Sequence, residues 1–248
     1  MNKLYNKNEL WFAITWIIIY IVGTIIFDTI ARVTNLVNFL TPLFYLILCV
    51  VLIGWIIKNN LRDKYGLCKS TYSSKYFLYF IPLLILISIN FWFGLQLKMS
   101  LIDTSLYVIT MLCVGVLEEI IFRGFLFKAM EKDNLKWAVI ISSLTFGFGH
   151  IINLFSANAD IISTILQIFY ATTTGFLFVI IFYKGKTLLP CIVTHSLFNA
   201  LSIFAKNTSL TINIIITIVM MVLTLSYAIL IIKIMPQESN YIEKEKEQ

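Results

Sequence analysis

The sequence predicts an all-α membrane protein, a polytopic bundle of about eight transmembrane helices with both termini in the cytoplasm. Of its 248 residues, 59% are hydrophobic and 13% are charged, and its mean hydropathy is +0.89. Soluble domains usually carry about 25% charged and about 45–50% apolar residues. The apolar excess recurs along almost the whole chain, and Lys and Arg fall between the apolar segments. We therefore expect a single membrane domain over residues 1–235 and a polar cytoplasmic tail over residues 236–248.

Eight apolar segments are long enough to span a membrane. A bilayer core of about 30 Å requires about 20 apolar residues in a helix. The segments that meet this length lie at roughly 10–31, 37–57, 76–96, 104–128, 136–155, 161–183, 187–205 and 210–234. The first contains a bulky apolar run from Trp11 to Phe27 without a small-residue cleavage site, so we predict a retained span rather than a signal peptide.

The Lys and Arg residues determine the predicted orientation. With the N-terminus in the cytoplasm, fifteen of them fall in cytoplasmic segments, and only Arg32, Lys98 and Lys206 fall outside. One more, Arg123, lies within a span. Cytoplasmic loops of membrane proteins carry such an excess of basic residues. The net charge of +6 is thus explained by topology and by attraction to anionic lipids, so we expect a multi-pass protein of the plasma membrane that binds no nucleic acid.

The fourth span contains two adjacent acids followed by a basic residue, in the sequence Glu118-Glu119-Ile-Ile-Phe-Arg123. Ionisable side chains are costly in a bilayer, so they usually face a protein interior and serve chemistry or transport there. Residues four apart share a helix face, so Glu119 aligns with Arg123, whereas Glu118 points about 100° away. We predict that Glu119 and Arg123 neutralise each other, which leaves Glu118 free to face a cavity as a general base.

The chain has two histidines, and both lie inside apolar spans. His150 follows the run Phe-Gly-Phe-Gly, whose two glycines allow a neighbouring helix to approach closely. His195 and Asn199 are four residues apart on one helix face, where they can bind a metal, bind an oxyanion or bond to each other. At 1.5 Å per residue, Glu118, His150 and His195 lie about 14–20 Å from their cytoplasmic helix ends. This shared depth predicts one polar site inside the membrane.

These three motifs, in this order and on separate spans, resemble the CAAX-protease and bacteriocin-processing family, also called the Abi family. The family pattern is Glu-Glu-x-x-x-Arg, then Phe-x-x-x-His, then His-x-x-x-Asn or Asp. The residues that match it, within a region from about 110 to 205, are Glu118, Glu119, Arg123, Phe146, His150, His195 and Asn199. The resemblance implies an eight-helix, all-α fold and intramembrane proteolysis.

The resemblance also implies a role for each polar residue. Glu118 would be the catalytic carboxylate, with His150 as its partner on the water. His195 and Asn199 would complete the site, either as oxyanion donors or as metal ligands, and Glu119 with Arg123 would be supporting structure. The family includes CAAX-type endopeptidases that act after prenylation, and its bacterial relatives are linked to bacteriocin immunity and peptide maturation. The expected partner is therefore a membrane-embedded or lipid-anchored peptide.

Two mechanisms fit these residue types. In the first, Glu118 and His150 deprotonate a water while His195 and Asn199 donate hydrogen bonds to the oxyanion. In the second, His150, His195 and Glu118 bind a divalent metal such as zinc, which activates the water. The metal version leaves no obvious separate base, because the neighbouring acid is expected to pair with arginine. We favour the glutamate-driven version and keep the metal as the alternative.

Two other classes of function are compatible with polar groups in mid-membrane. A non-enzymatic immunity or scaffold protein would bind its partner through its helices, and a proton-coupled transporter would use Glu and His as a relay. Transport is disfavoured because the acids cluster with an arginine on one span and no pair of interrupted helices recurs between the two halves. The binding protein differs from the protease in that Glu118→Ala would leave its phenotype intact.

Overall fold

The computed structural model of the chain describes residues 1–69, 78–155 and 160–235. Within these ranges the chain is largely helical, and its only β pairing is an isolated bridge between Leu95 and Ala205, so the predicted helical membrane bundle is confirmed. Several sequence predictions concern residues outside the described ranges. These are the polar tail 236–248, the first residues of the third predicted span, and Lys75, Lys244 and Lys246.

Ten α-helices are present in the described residues. Their bounds are α1 Asn2–Lys7, α2 Glu9–Val33, α3 Val37–Lys58, α4 Leu83–Ser88, α5 Leu101–Glu118, α6 Lys128–Glu131, α7 Leu135–Gly149, α8 Ile161–Gly185, α9 Leu189–Leu201 and α10 Leu210–Ile234. A π-helical segment, Glu119–Phe127, joins α5 to α6. Short 3₁₀ turns at Ile89–Phe91, His150–Phe155 and Ser202–Phe204 extend α4, α7 and α9.

Six of the eight predicted spans form helices that are long and apolar enough to cross a membrane. They cover Glu9–Val33, Phe39–Lys58, Leu101–Glu131, Leu135–Leu154, Ile161–Gly185 and Leu210–Ile234. The third and seventh predicted spans form shorter apolar helices, Leu78–Phe91 and Leu189–Phe204. Within the described part of the third span, α4 begins directly after Pro82, and the chain turns at Gly94, which has a φ of 103°. Apolar composition predicted the helical character of both segments but not the length of the described helices.

The basic residues gather at one end of the bundle. Glu9 at the start of α2 bonds to Lys64 at 2.6 Å and lies 3.5 Å from Lys132, and the Lys184 ammonium donates to the Met235 carbonyl at 3.1 Å. Burial opposes the charge on Lys64, but its hydrogen bonds to Glu9 and Tyr5 raise its pKa above the usual value. We call this end, where the N-terminus lies, the basic end. It is the end that the sequence predicts to be cytoplasmic.

We call the opposite end of the bundle the far end. It contains the helix ends and connecting segments that lie away from the basic residues. The bridge between Leu95 and Ala205 joins the segment after α4 to the segment after α9. The Asn153 side chain donates to Gln167 at 2.7 Å and so links the turn after α7 to the first turns of α8. Each of these segments lies at the end opposite to the basic loops. Their positions therefore agree with successive spans that alternate in direction.

Aromatic side chains fill the interior of the basic half. Phe12, Trp55, Tyr65 and Phe125 are all buried, with ring centroids 4.7 Å apart for Phe12 and Trp55 and 4.9 Å apart for Tyr65 and Phe125. Aromatic pairs at these separations add stability beyond the apolar area that they bury. The π-helical segment is buried along its whole length, so it forms the centre of this half rather than a lipid-facing surface.

Candidate active site

The two adjacent acids lie where the chain changes from α- to π-helical winding. Glu118 is the last residue of α5, and Glu119 is the first residue of the π-helical segment. The sequence predicted continuous α-helix here, so the change of winding is a correction. Local propensity does not predict it, and every residue from Glu119 to Phe127 is buried. Short π segments in longer helices frequently occur at functional sites.

Glu119 and Arg123 form the ion pair that the sequence predicted. The Arg123 Nη1 atom donates to Glu119 Oε1 at 3.0 Å, and both side chains have 0% exposure. The guanidinium also lies 3.9 Å from the centroid of the Phe146 ring, which provides a cation–π contact. Removal of one partner from a buried pair leaves an uncompensated charge, at a cost of about 3–5 kcal/mol.

His195 connects the two acids. Its Nδ1 atom lies 2.8 Å from Glu119 Oε1, and its Nε2 atom lies 3.5 Å from Glu118 Oε2. The ring therefore lies beside the carboxylates of both Glu118 and Glu119. The sequence predicted a pairing of Glu119 with arginine only, so the contact of Glu119 with His195 was missed. Two adjacent acids do not indicate which of them contacts the histidine, because either side chain could have faced the ring.

Close packing of α9 against α5 positions His195. A Cβ atom at Gly115 would lie 2.6 Å from the backbone nitrogen of Ser196, so only glycine permits this approach. The Ser196 hydroxyl donates to the Leu112 carbonyl at 3.1 Å across the same interface. The residue that follows His195 is thus held against the helix that carries both acids.

Glu118 differs from its neighbour in its surroundings. The Tyr20 hydroxyl, from α2, donates to Glu118 Oε1 at 2.6 Å. The other oxygen, Oε2, has no hydrogen-bond partner among the described residues, although it is buried. Glu118 therefore has one oxygen fixed by a phenol and one oxygen available beside the His195 ring.

Tyr20 was not identified from the sequence. It is one of twelve tyrosines, and nothing in its local sequence distinguishes it from those that only pack. Its contact with Glu118 joins residues 98 positions apart, so it exists only in the folded chain.

His150 and Asn199 face the same cavity as Glu118. This cavity has a volume of about 300 Å³, and Tyr20, Tyr107, Asn153, Gln167 and Ser202 also line it. A smaller adjoining cavity of about 40 Å³ is lined by His150, His195 and Asn199. The four predicted catalytic residues, Glu118, His150, His195 and Asn199, thus surround two adjoining cavities.

The Phe146 ring contacts both imidazoles. Its ring centroid is 5.4 Å from that of His150 and 5.5 Å from that of His195, and both contacts are edge-on. The first glycine before His150 permits the close helix approach that the sequence predicted, because a Cβ atom at Gly147 would collide with the Thr172 side chain of α8. The second glycine has more room, because a Cβ atom at Gly149 would lie 3.9 Å from the Phe122 ring, which is an ordinary contact.

The donor set does not fit the metal centre that the sequence analysis kept as an alternative. In the part of the chain that the structure describes, no three His, Cys, Asp or Glu side chains converge as metal ligands. Glu118 and His195 meet, and the Nδ1 atom of His195 bonds to Glu119, which leaves its Nε2 atom on the Glu118 side. His150 and His195 each contact the Phe146 ring and line the smaller cavity. The described residues therefore offer groups for proton transfer and hydrogen-bond donation without a preformed three-ligand site.

Comparison with known proteins agrees with the resemblance carried by the motifs. Residues 100–201 match the model of a family described as type II CAAX prenyl endopeptidase Rce1-like. No curated protein and no solved structure gave a significant match. The matched segment contains all three motifs and supports an intramembrane protease, whereas α2 and α3, which include Tyr20, lie outside it.

Proposed function

We propose that this chain, through its Rce1-like segment, is an intramembrane endopeptidase that hydrolyses a peptide bond of a membrane-associated peptide or protein. The observation that carries the proposal is the position of Glu118, whose Oε2 atom is buried and unbonded among the described residues beside a cavity shared with His150 and Asn199. The Oε2 atom of Glu119 also has no hydrogen-bond partner among the described residues, but Glu119 is fully buried and lines neither cavity, so contact with the cavity is what distinguishes Glu118. We further propose the plasma membrane as its location.

The first chemical step is activation of water. Glu118 and His150 accept the proton of a water in the cavity, and the water oxygen attacks the carbonyl carbon of the scissile peptide. Positioned proton acceptors of this kind typically accelerate a reaction by about 10²–10⁴-fold. Tyr20 acts as a positioning residue in this step, because its hydrogen bond at 2.6 Å fixes one carboxylate oxygen and directs the other toward the cavity.

The second requirement is stabilisation of the oxyanion. His195 and Asn199 donate hydrogen bonds to the oxygen of the tetrahedral intermediate, and one lost donor typically costs about 10²–10³-fold in kcat. Glu119 and Arg123 support this role by holding the His195 ring through its Nδ1 atom. When the C–N bond breaks, the proton taken from water passes to the leaving amine, and the products are a carboxylate and an amine.

The membrane setting and the family match support a class of physiological substrate. We propose a membrane-embedded or lipid-anchored peptide, with roles in peptide maturation or bacteriocin immunity as the two candidates. The aromatic and aliphatic lining of the smaller cavity, which includes Leu86, Phe178 and Met220, suits apolar side chains next to the scissile bond.

Reconstitution tests this function. Purified protein in liposomes is incubated with a set of lipid-anchored and membrane-spanning peptides, with and without a chelator, and the fragments are identified by mass spectrometry. We expect one peptide class to be cleaved at a defined bond, with chelator having no effect and Glu118→Ala giving no fragments. Fragments released equally by Glu118→Ala would contradict the proposal, and cleavage abolished by chelator and restored by zinc would replace it with the metal mechanism.

A further inference from the structure

We propose that the peptide substrate enters the site from the far end of the bundle, which is the extracytoplasmic face of the membrane. This inference rests on the proposed function for its substrate, and it adds the side from which that substrate comes. The proposed substrate is a peptide segment that lies at or beyond the outer leaflet, such as an exported peptide, rather than a cytoplasmic tail.

The cavity beside Glu118 extends toward the far end. Tyr107, in the first turns of α5, and Ser202, just after α9, both line it, and their hydroxyl groups are 3.0 Å apart. Asn153 and Gln167, which lie in the turn after α7 and in the first turns of α8, line it as well. Glu118 is near the opposite end of α5 from Tyr107, so it lines the part of this cavity that is farthest from the far end.

A larger cavity, here called the passage, adjoins it at the far end. Its volume is about 650 Å³, and it shares Gln167, Tyr170 and Phe198 with the cavity beside Glu118. Its other lining residues include Lys98, Asn207 and further polar groups of the far end: Asn90, Ser163, Lys206, Thr208 and Asn213. Lys98 and Asn207 are exposed, so the passage opens to the outside of the bundle at these residues.

The other side of the site is filled by side chains. Arg123 has 0% exposure, and the next apolar residues of the π-helical segment, Phe125 and Phe127, have 2% and 0%. Tyr65 and Leu188, on the basic end, are also buried, and the Tyr65 ring centroid lies 4.9 Å from that of Phe125. A peptide that approached from the basic end would have to displace the packed aromatic core, whereas the far end already provides an open route.

The distribution of charge identifies the far end as extracytoplasmic. Among the described residues, only three Lys or Arg lie at the far end: Arg32, Lys98 and Lys206. The basic end carries Lys3, Lys7, Lys58, Arg62, Lys64, Lys69, Lys128, Lys132, Lys136, Lys184, Lys186 and Lys233. Such an excess of basic residues marks the cytoplasmic side. Two of the three outer basic residues, Lys98 and Lys206, line the mouth of the passage.

Thiol labelling in intact cells tests the inference without any assumption about catalysis. The starting protein carries Cys68→Ser, which removes the one native cysteine that is not buried. Single cysteines are then introduced as Ser202→Cys inside the cavity, Asn207→Cys at its mouth, and Arg62→Cys as a control at the basic end. A membrane-impermeant maleimide is applied before and after permeabilisation, and labelling is read by mass shift.

We expect Asn207→Cys and Ser202→Cys to react in intact cells and Arg62→Cys to react only after permeabilisation. The reverse pattern would overturn the inference, and so would reaction of Ser202→Cys only after permeabilisation. If Ser202→Cys reacts slowly on both sides, labelling of Asn207→Cys before permeabilisation still supports the proposal and its absence still refutes it. The same labelling is repeated with Glu118→Gln, and an unchanged pattern is expected because access does not require catalysis. Outer labelling of a protein that keeps Glu118 but cleaves no peptide would refute the proposed function while leaving the side of access established.

Discussion

Two neighbouring glutamates of one helix occupy very different surroundings. Glu119 has 0% exposure and contacts Arg123 and His195 through a single oxygen, in a region filled by packed side chains. Glu118 has 8% exposure, accepts a hydrogen bond from Tyr20 and lines a cavity of about 300 Å³. Environment assigns different tasks to identical carboxylates. The comparison indicates that Glu119 holds the site together and that Glu118 acts on the substrate.

The largest expected effects come from the two histidines. They differ in the same way as the two glutamates, because only His195 is expected to support the fold as well as the reaction. His150→Ala and His195→Ala should each lower cleavage by about 10²-fold or more, because each removes a proton acceptor or an oxyanion donor. His195→Ala should also lower the melting temperature, since Glu119 loses a partner. Single-turnover cleavage and thermal unfolding in detergent measure both effects. Equal melting temperatures for the two variants would contradict the structural half of the comparison.

The next effect concerns the buried ion pair. Glu119→Ala and Arg123→Ala should each destabilise the protein by about 3–5 kcal/mol and reduce the yield of folded protein, because each leaves a buried charge unpaired. Folded yield by size-exclusion chromatography and the melting temperature are the measurements. If both variants fold with the yield of the unmodified protein, the pair does not have the supporting role assigned to it.

Tyr20→Phe should have a smaller, purely kinetic effect. Loss of a hydrogen bond to a charged group costs about 1.5–3 kcal/mol, so kcat should fall by about 10- to 150-fold with little change in KM. Tyr45→Phe is the matched control, because Tyr45 is also buried but donates to Thr24 at 3.1 Å instead of to Glu118. Similar kcat values for the two variants, or a loss of kcat that follows a lower melting temperature, would remove Tyr20 from the mechanism.

The smallest effect is expected at the second arginine–carboxylate pair of the same spacing. Arg32 bonds to Asp28 at 3.0 Å with an i,i+4 geometry, but both side chains are about one third exposed. Arg32→Ala should cost only about 0.3–0.5 kcal/mol, because solvent screens the pair. A melting-temperature change as large as that of Arg123→Ala would show that burial is not what distinguishes the two pairs.

Local patterns in the sequence predicted part of this arrangement. Apolar run lengths predicted the helical membrane bundle, and i,i+4 spacing predicted the Glu119–Arg123 pair, because both depend on residues close together in the chain. Contacts between distant segments were not predictable. The phenol of Tyr20 reaches Glu118 across 98 positions, and the contact of His195 with Glu119 depends on how α9 packs at Gly115. The π-helical winding was missed for the same reason.

The most direct test of the account is the turnover of Glu118→Gln per folded molecule. Glu131→Gln serves as the control, because Glu131 lies at the basic end of the same continuous helix and pairs with Lys128. We predict that Glu118→Gln inserts and folds normally but cleaves its peptide about 10²–10⁴-fold more slowly, while Glu131→Gln retains full turnover. A normal turnover rate for Glu118→Gln would contradict the assignment of this carboxylate as the base that drives hydrolysis.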